Sequence, residues 1–569
     1  MVNIKGIKIM TIALVKVSCI NDRLIPLGLA CLQAYLKHYS QPVRVFNFRT
    51  TDYTLPKVIF DPLIQLDLTN FVMNHQDFPM IVPIMNDIFR KRELDFNKYT
   101  DIVKDYSARM FETPEATKKR FESMIRYCKI TILEDLKNYT TIAFSLNYLN
   151  ISETVISSCF LKQFNPDCTI VWGGPSITQS FEAFKLFLER GICDGLVIGE
   201  GETPLLEITK GVNLTEIKGV MTLDQQKNYL YSPGIQLDLD SLPTPDYTDI
   251  PLDTYYQIAS TYRSRGCTNR CQFCAEWKLF GPRFRTRSVE KVVQDIETIV
   301  REFKPRFMLF GESLINDDLV YFEELCDALI EKNFDIKFGT HFRANITPIL
   351  ARKAKLAGFE DAWVGFEAFS DTELKEMNKG TNVNQNMETI ESLTQAGVNV
   401  LAMLVVGFSG IETEKSNCQS IVQTIEHFSN RLYIDKDGIE RPLPIQFRPA
   451  PMYIVPGSFD YQAKKHTAMW PWKCTFKSID NSTHIIELEE LLSGIPYSFK
   501  RPISNKHIAN FMVQIQNADK KAGFTIGGVM KYVIDYTMEM RRKSRQKRKT
   551  ERIGVSAQRF EAKIKQQIN

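Results

Sequence analysis

Short β-rich segments alternate with amphipathic helical segments, and this alternation restricts the possible folds more than any other feature of the chain. From residue 8, the β-rich segments IMTIALVKV, VRVFNF, TTIAFSL, CTIVWGG and DGLVIGEGE are separated by helical stretches, with a polar, helical insertion at about 53–137. Strands that alternate with helices build parallel sheets. The pattern predicts an α/β fold that begins with a Rossmann-like parallel-sheet domain over residues 1–215.

A second series of strands and helices follows a change in composition. Residues 216–255 are rich in turn formers and contain SLPTPDYTDIP, which is typical of a rigid, extended linker. Over residues 256–450, about six further strand–helix units follow, and they predict a partial (β/α)6 barrel. Residues 451–569 are expected to form a mainly helical extension that contributes to the choice of substrate.

Ligands of open parallel sheets bind just beyond the carboxyl ends of the strands, so the residues that follow each strand are the candidates for binding. In the first domain these candidates are Ser145, Asn147, Gly173, Gly174, Gly199, Glu200 and Gly201. Glycines at such positions allow a large ligand to approach the backbone. In barrels, the chemistry lies on the loops after the strands.

Three cysteines are grouped in RGCTNRCQFC, directly after the first strand of the second series. They are Cys267, Cys271 and Cys274. Four thiolates would complete a tetrahedral zinc site or fully ligate a cubane iron–sulfur cluster, whereas three leave one coordination position open. A structural zinc site would need a fourth ligand, and the nearest candidates, Cys326 and His341, lie far along the chain.

Composition limits the remaining possibilities. The chain has 12 cysteines, and the nine outside the cluster are scattered, with no disulfide framework. Lys+Arg 71 against Asp+Glu 67 is too even to indicate a nucleic-acid partner. The basic run at 541–552 favours a solvated helix face over contact with RNA, anionic lipid or an acidic partner. No apolar run reaches the roughly 20 residues of a membrane span, so we expect a cytoplasmic protein without a transmembrane segment.

The cysteine motif resembles the signature of radical S-adenosylmethionine (radical SAM) enzymes. Cys267-x3-Cys271-x2-Cys274, with Phe273 before the last cysteine, follows the first barrel strand as that family requires. The resemblance implies that the three thiolates hold a 4Fe-4S cluster whose open iron binds S-adenosylmethionine.

Further candidates for contact with S-adenosylmethionine come from the same resemblance. Gly311 and Glu312 are similar to the Gly-Gly-Glu element that meets the methionine amino group, although Phe310 replaces the first glycine. Arg343 is placed for the methionine carboxylate. Glu367 and the segment 405–412 resemble the ribose and adenine walls.

The first domain resembles that of the cobalamin-binding subclass of these enzymes. IPLGLACLQAYLKHY, WGGP, VIGEGE, LPTPDY and the cysteine loop follow one another in the order of that subclass, over about residues 8–430. The resemblance implies that residues 1–215 bind cobalamin. The Asp-x-His-x-x-Gly motif that ligates cobalt in the best-known cobalamin domains is absent from VSCINDRLIPLG, which predicts cobalamin bound without histidine.

The activity implied by this resemblance is C-methylation of an unactivated carbon. A 5'-deoxyadenosyl radical would abstract hydrogen, methylcobalamin would supply the methyl group, and no side chain would act as a catalyst in this core step. Alternatives are a cobalamin-dependent radical SAM cyclase or rearrangement enzyme, a methylthiotransferase-like RNA modification enzyme, and a cobalamin- or nucleic-acid-binding module without turnover.

The same resemblance indicates the partners of the enzyme. The substrate would be a small molecule, lipid or peptide, and an electron donor such as flavodoxin or ferredoxin would be required. The aromatic cluster Trp470, Trp472 and Phe476 could cap the barrel, or could simply pack C-terminal helices onto it.

Overall fold

The computed structural model describes residues 11–19, 25–50, 78–89, 100–109, 113–281, 283–464 and 503–525, together with the single residues 96, 527, 531, 535 and 538. The aromatic cluster at 470–476, the basic run at 541–552 and much of the insertion at 53–137 lie outside these ranges. Among the described helices, none is long and apolar enough to span a lipid bilayer.

The N-terminal domain is a seven-stranded sheet in the order β2-β1-β3-β4-β5-β6-β7. Its strands are β1 (Ile12–Cys19), β2 (Val43–Thr50), β3 (Thr141–Ser145), β4 (Thr169–Gly173), β5 (Gly195–Val197), β6 (Val220–Leu223) and β7 (Tyr229–Leu230). The first five are parallel, which confirms the predicted parallel-sheet fold, and β6 and β7 add in antiparallel orientation. The strand order changes direction between β1 and β3, and ligands of such sheets bind at this point.

Helices cover both faces of this sheet. They are α1 (Leu27–His38), α2 (Phe78–Phe89), α3 (Thr100–Arg109), α4 (Pro114–Tyr127), α5 (Leu133–Leu136), α6 (Ile151–Phe164), α7 (Pro175–Glu189) and α8 (Glu202–Thr209). A π-helical turn, Cys128–Ile132, joins α4 to α5. Every residue of α6 from Ile151 to Lys162 is buried, because α6 lies between the sheet and α2 to α5. A helix buried on all sides cannot show a single apolar stripe.

The second domain contains six parallel strands in the order β17-β14-β13-β12-β11-β8, in agreement with the predicted partial barrel. The strands are β8 (Ile258–Thr261), β11 (Phe307–Phe310), β12 (Lys337–Phe342), β13 (Phe359–Glu367), β14 (Asn399–Val406) and β17 (Ile445–Pro451). Two antiparallel hairpins accompany them: β9 (Ser264–Arg265) with β10 (Arg285–Thr286), and β15 (Leu432–Ile434) with β16 (Glu440–Pro442).

The helices of the second domain are α9 (Glu276–Leu279), α10 (Val289–Phe303), α11 (Leu319–Lys332), α12 (Pro348–Leu356), α13 (Asp371–Glu376), α14 (Val383–Gln395) and α15 (Ile411–Ser429). Helix α10 shows why they form: Ser288 Oγ accepts from the Lys291 N–H at its start, and its apolar face is buried on the sheet. The helix ends at Lys304, which adopts a left-handed conformation.

In the part of the chain that the structure describes, two helices follow the last strand, α16 (Phe459–Lys464) and α17 (Asn505–Ala522). Helix α17 packs on α15 and along β17. The Phe447 N–H of β17 donates to Asp519 Oδ1 at 2.9 Å. Helix α17 therefore covers a strand at the sheet edge, whose backbone would otherwise be exposed for pairing.

The segment between the domains is packed against both of them. Asp246 and Asp249 bind the first domain: Lys37 Nζ lies 2.7 Å from Asp246 Oδ2, and Gln33 Nε2 donates to Asp249 at 2.9 Å. The Tyr247 hydroxyl is buried, donates to the Ser260 carbonyl and accepts from the Ser260 N–H, so it binds the first barrel strand. One apolar core includes Leu14 of β1, Tyr247 and Val292 of α10. Residues 239–255 thus form a packed strap.

Candidate functional site

A short hairpin holds the cysteine loop at the mouth of the barrel. Strands β9 and β10 pair Ser264 with Thr286 and Arg265 with Arg285, which closes the loop that contains the cysteines. Gly266 has φ 96°, and a Cβ there would lie 3.1 Å from the Arg283 carbonyl oxygen. Only glycine satisfies both the positive φ and this close approach.

The three cysteines lie together on this loop. Cys271 is buried, and Cys267 and Cys274 are half-buried. The Glu276 N–H points to Cys274 Sγ at 3.5 Å, and Asn269 Nδ2 lies 3.7 Å from Cys267 Sγ. Burial raises the pKa of Cys274 to about 12, and nearby charge on the other two cysteines contributes to the increase. A bound cationic cluster would reverse this effect, because thiolates are the ligands that it requires.

The described residues contain no group of three or more His, Cys, Asp or Glu side chains arranged for a single metal ion. Cys326 is buried within α11. The ring of His341 packs edge-on against Trp363, and burial lowers the pKa of His341 to about 4. The two residues that a zinc site would have needed are therefore parts of the described core.

Phe273 of the cysteine motif contacts the turn after β14. Its ring lies 6.4 Å from that of Phe408 in an edge-on arrangement. Glu414 holds this turn, because its Oε1 accepts from the N–H groups of Gly407, Phe408 and Ser409 at 2.7, 2.7 and 3.3 Å. The segment 405–412, predicted from the resemblance as part of the adenine wall, is thus adjacent to the cysteine loop.

Arg343 and Glu367 are connected by a residue that the sequence did not single out. Lys379 Nζ lies 2.9 Å from Glu367 Oε1, both side chains are buried, and the Arg343 guanidinium donates to the Lys379 carbonyl. Glu367 has φ 64°, an uncommon conformation for this residue type. Burial opposes the charge on Lys379, but Glu367 and Cys271 outweigh it and raise the pKa of Lys379. Lys379 lies in a loop without periodicity or motif, so no sequence signal marked it.

Gly311 and Glu312 have different environments despite being neighbours. Gly311 faces the first domain, where a Cβ would lie 2.6 Å from Leu27 Cδ2. Glu312 is buried and accepts from the Arg263 N–H at 3.2 Å, while its Oε1 has no hydrogen-bond partner. Burial raises the pKa of Glu312 to about 7. Of this pair, only Gly311 lies at the boundary between the two domains, where it lines a cavity.

A cavity of about 370 Å³ lies between the two domains. Each of the predicted strand-end residues lines it: Ser145, Asn147, Gly173, Gly174, Gly199, Glu200 and Gly201. Its floor includes the strand residues Leu14, Ala143, Val171 and Val197. From the barrel domain, the lining includes Tyr262, Ser264, Arg265, Leu279, Phe280 and Gly311. The first domain and the cysteine hairpin therefore face one another across this cavity.

The glycines of the cavity have two different functions. Gly174 has φ 98°, and a Cβ there would lie 2.7 Å from the Leu146 carbonyl oxygen, so it allows two strand ends to pack. At Gly28 and Gly199, a Cβ would meet nothing within 4 Å. These two positions are open to a ligand, and Gly28, at the start of α1, was not predicted.

The polar residues of the lining are partly used within the protein. Asn147 Oδ1 accepts from the Leu149 N–H at 2.9 Å and shapes the turn after β3. The Glu200 carboxylate pairs with Arg285 and, at 3.0 Å, with Arg265 Nη1. Glu200 thus lines the cavity, and its side chain joins the two domains.

The arrangement of a parallel-sheet domain facing a six-stranded barrel with three loop cysteines defines a class of two-domain cofactor enzymes. Residues 261–415 match the radical SAM superfamily. An uncharacterized methyltransferase of Pyrococcus horikoshii is 25% identical over 285 residues, 48% of this chain and 60% of the relative. Anaerobic magnesium-protoporphyrin IX monomethyl ester cyclase of Rubrivivax gelatinosus is 28% identical over 274 residues, 44% of this chain and 48% of the relative. The chain spans between about half and three fifths of these relatives.

The radical SAM methyltransferase TsrM from Kitasatospora setae, solved with cobalamin and a [4Fe-4S] cluster bound, has the same fold. The TM-score is 0.57 at 13% identity, and the match covers 91% of this chain and 93% of that one. The chain therefore contains a region that matches the radical SAM superfamily and shares the fold of a solved radical SAM methyltransferase, in agreement with the predicted resemblance.

Proposed function

We propose that this protein is a cobalamin-dependent radical SAM enzyme and, specifically, a C-methyltransferase that acts on an unactivated carbon. The observation that carries the proposal is the cavity between the domains. The strand ends predicted to cradle cobalamin form one wall, and Ser264 and Arg265, on the strand that leads into the cysteine loop, form part of another. Two cofactors placed on these walls would meet at a shared space.

The residues present fit these groups. The three cysteines, which lie on one loop, would supply the thiolates. Arg343 would bind the carboxylate of S-adenosylmethionine, with Lys379 and Glu367 holding the loop around it. Phe273 and Phe408 would border the adenine. When bound, the cluster and S-adenosylmethionine supply hydrogen abstraction, and cobalamin supplies a methyl group.

The first domain would hold the corrin ring by shape. Its open positions Gly28 and Gly199 leave room above an apolar floor of strand residues. The described lining contains no histidine.

The role of the protein in the proposed reaction is to position the reactants and to exclude water. The buried Glu312 carboxylate accepts from the Arg263 N–H at 3.2 Å and so connects the turn after β11 to the segment after β8. If the protein holds the two cofactors in a fixed orientation, the reacting groups do not have to find one another by random collision. An external electron donor such as flavodoxin or ferredoxin would supply the reducing electron.

A second candidate is cyclisation with the same cofactors. The similarity to the magnesium-protoporphyrin cyclase favours it, because that relative is 28% identical over 44% of this chain, comparable to 25% over 48% for the methyltransferase. Product analysis with methyl-labelled S-adenosylmethionine separates the two, because only methylation transfers the label to the substrate.

The test is to purify the protein without oxygen from cells supplied with cobalamin. Iron, corrinoid and formation of 5'-deoxyadenosine from S-adenosylmethionine are measured on one sample. We expect about four irons per chain, as in a cubane cluster, together with corrinoid and nucleoside formation. Iron and nucleoside without corrinoid would contradict the cobalamin-dependent mechanism.

A further inference from the structure

Four charged residues join the two domains at the edge of the cavity. Glu200 and Glu202 lie between β5 and the first turn of α8, and Arg265 and Arg285 face one another on the cysteine hairpin. Each of the four side chains is at most 15% exposed. We call these four residues the interdomain charge cluster.

Arg265 is the centre of this cluster. Its Nη1 lies 3.0 Å from Glu200 Oε2, and its Nη2 lies 2.6 Å from Glu202 Oε1. Its Nη2 also lies 3.3 Å from the Tyr262 hydroxyl, and the guanidinium stands 5.0 Å from the centre of the Tyr262 ring. A planar guanidinium with partners on two edges and on its face has one orientation.

Arg285 completes the arrangement from the opposite strand. It pairs with Glu200 and also donates to the Leu237 carbonyl, two residues before the strap. Glu200 therefore binds both strands of the hairpin, and the two carboxylates balance the two guanidinium charges. Buried ion pairs are costly to rearrange, because any displaced partner leaves an unpaired buried charge.

Arg265 connects the interdomain charge cluster directly to the cysteine loop. It lies two residues before Cys267, on the strand that starts the cysteine loop. Glu200 and Gly201 line the cavity wall opposite. The other contacts across this boundary include the packing of Leu27 on Gly311 and a bond of 3.3 Å from Lys278 to the Gln179 carbonyl. Neither of these acts on the hairpin strands themselves.

We propose that Glu200, Glu202, Arg265 and Arg285 are positioning residues that fix the cysteine hairpin against the cofactor cradle of the first domain. The consequence for cofactor spacing rests on the proposed function, since it requires cobalamin in the cradle. The four residues would not contact the reacting atoms. They would set the distance and orientation between the corrin and the cluster.

The test uses the full chain with Glu200→Gln and Glu202→Gln combined, which removes both negative charges and preserves side-chain shape. The matched control is Glu207→Gln on α8, because Glu207 pairs only with exposed Lys210 at 3.0 Å in the described contacts. Iron and corrinoid content and thermal unfolding are measured first. The decisive readout is the distance distribution between cob(II)alamin and the reduced cluster, obtained by pulsed electron paramagnetic resonance.

We expect one narrow distribution in the parent and in Glu207→Gln, and a distribution at least about twofold wider in the double variant with both cofactors bound. A distribution as narrow as that of the parent would overturn the proposal. If the double variant does not load both cofactors, the single variant Glu200→Gln, which leaves the Glu202–Arg265 pair in place, is judged by the same criterion.

A second measurement tests the interdomain charge cluster even if the protein binds no cobalamin. If the parent itself binds no corrinoid, amide hydrogen exchange of residues 264–266 and 283–287 replaces the distance measurement. Exchange at least about tenfold faster in the double variant than in Glu207→Gln supports the positioning role of the cluster. Equal exchange rates overturn it, independently of cobalamin.

Discussion

Leu27 and Gly311 are in contact across the boundary between the domains. A methyl group added to Gly311 would lie 2.6 Å from Leu27 Cδ2, well inside van der Waals contact. Leu27 starts the first helix of one domain, and Gly311 follows the second strand of the other. The close approach of the domains at the cavity therefore depends on the absence of a side chain at Gly311.

Gly311→Ala should destabilise the contact between the domains by about 1–3 kcal/mol, the usual cost of overpacking. The double variant Leu27→Ala/Gly311→Ala should recover most of this loss, because the shortened Leu27 leaves room for the added methyl group. Chemical unfolding of the two single variants and the double variant measures the coupling. Additive effects would show that the two residues do not interact.

Gly28→Phe should weaken corrinoid binding without changing the iron content of the protein. Gly28 lines the cavity and has open space around its Cα, so the ring would occupy the cradle without backbone strain. We expect corrinoid affinity to fall about tenfold or more, as for overpacking of 1–3 kcal/mol. Gly28→Ala is the control and should bind corrinoid like the parent. Equal corrinoid in Gly28→Phe and Gly28→Ala would place the ligand elsewhere.

Cys271→Ala should abolish iron retention and cleavage of S-adenosylmethionine, because a cluster with two thiolate ligands loses a third of its protein attachment. Cys326→Ala is the matched control. Cys326 is buried in the barrel core and should affect stability only, so its iron content should equal that of the parent. Iron lost equally in both variants would connect Cys326 to the metal site.

Lys379→Met should weaken S-adenosylmethionine binding and destabilise the protein by about 3 kcal/mol, because Glu367 would keep a buried charge without its partner. Lys375→Met, on the exposed side of α13, should change stability by less than about 0.5 kcal/mol. Binding is measured by equilibrium dialysis and stability by chemical unfolding. Parent-like binding in Lys379→Met would remove Lys379 from the proposed site.

Acidification should weaken the interdomain charge cluster through Glu202. Burial disfavours its charge, but Arg265 outweighs that effect and lowers the pKa of Glu202 below its usual 4.5. A lowered folded-state pKa contributes stability that is present above 4.5 and is lost as the pH falls through the folded-state value. The stability difference between the parent and Glu202→Gln should therefore be constant from neutral pH down to about 5 and shrink below it. A difference that grows on acidification would contradict this assignment.

The sequence was informative wherever the signal is local. Strand–helix alternation predicted both parallel sheets, and the strand-end rule found Ser145, Gly173, Gly199 and Gly201, which line the observed cavity. The strands β6 and β7 were missed because they are short and add antiparallel to a parallel sheet. A strand that adds antiparallel at the edge of a sheet needs no crossover helix before it, so the alternation of strands and helices does not reveal it.

The candidate site was predicted less completely than the fold. The resemblance indicated Arg343 and Glu367 separately, and it did not indicate Lys379, which contacts both of them. Glu200 was predicted to bind cobalamin; it lines the cavity, and its side chain also pairs with Arg265 and Arg285. The sequence did not reveal these ion pairs, because the two partners are 65 and 85 positions away from Glu200.

The sequence by itself determined the two parallel sheets and the spacing of Cys267, Cys271 and Cys274, because hydrophobic period and short-range spacing depend on neighbours along the chain. Tertiary structure alone decided that Leu27 packs on Gly311, that Gly28 opens into the cavity and that Arg265 binds Glu200 and Glu202. These relationships arise from two domains pressed together, and the energy of such a contact depends on distance, burial and charge between residues that the sequence keeps far apart.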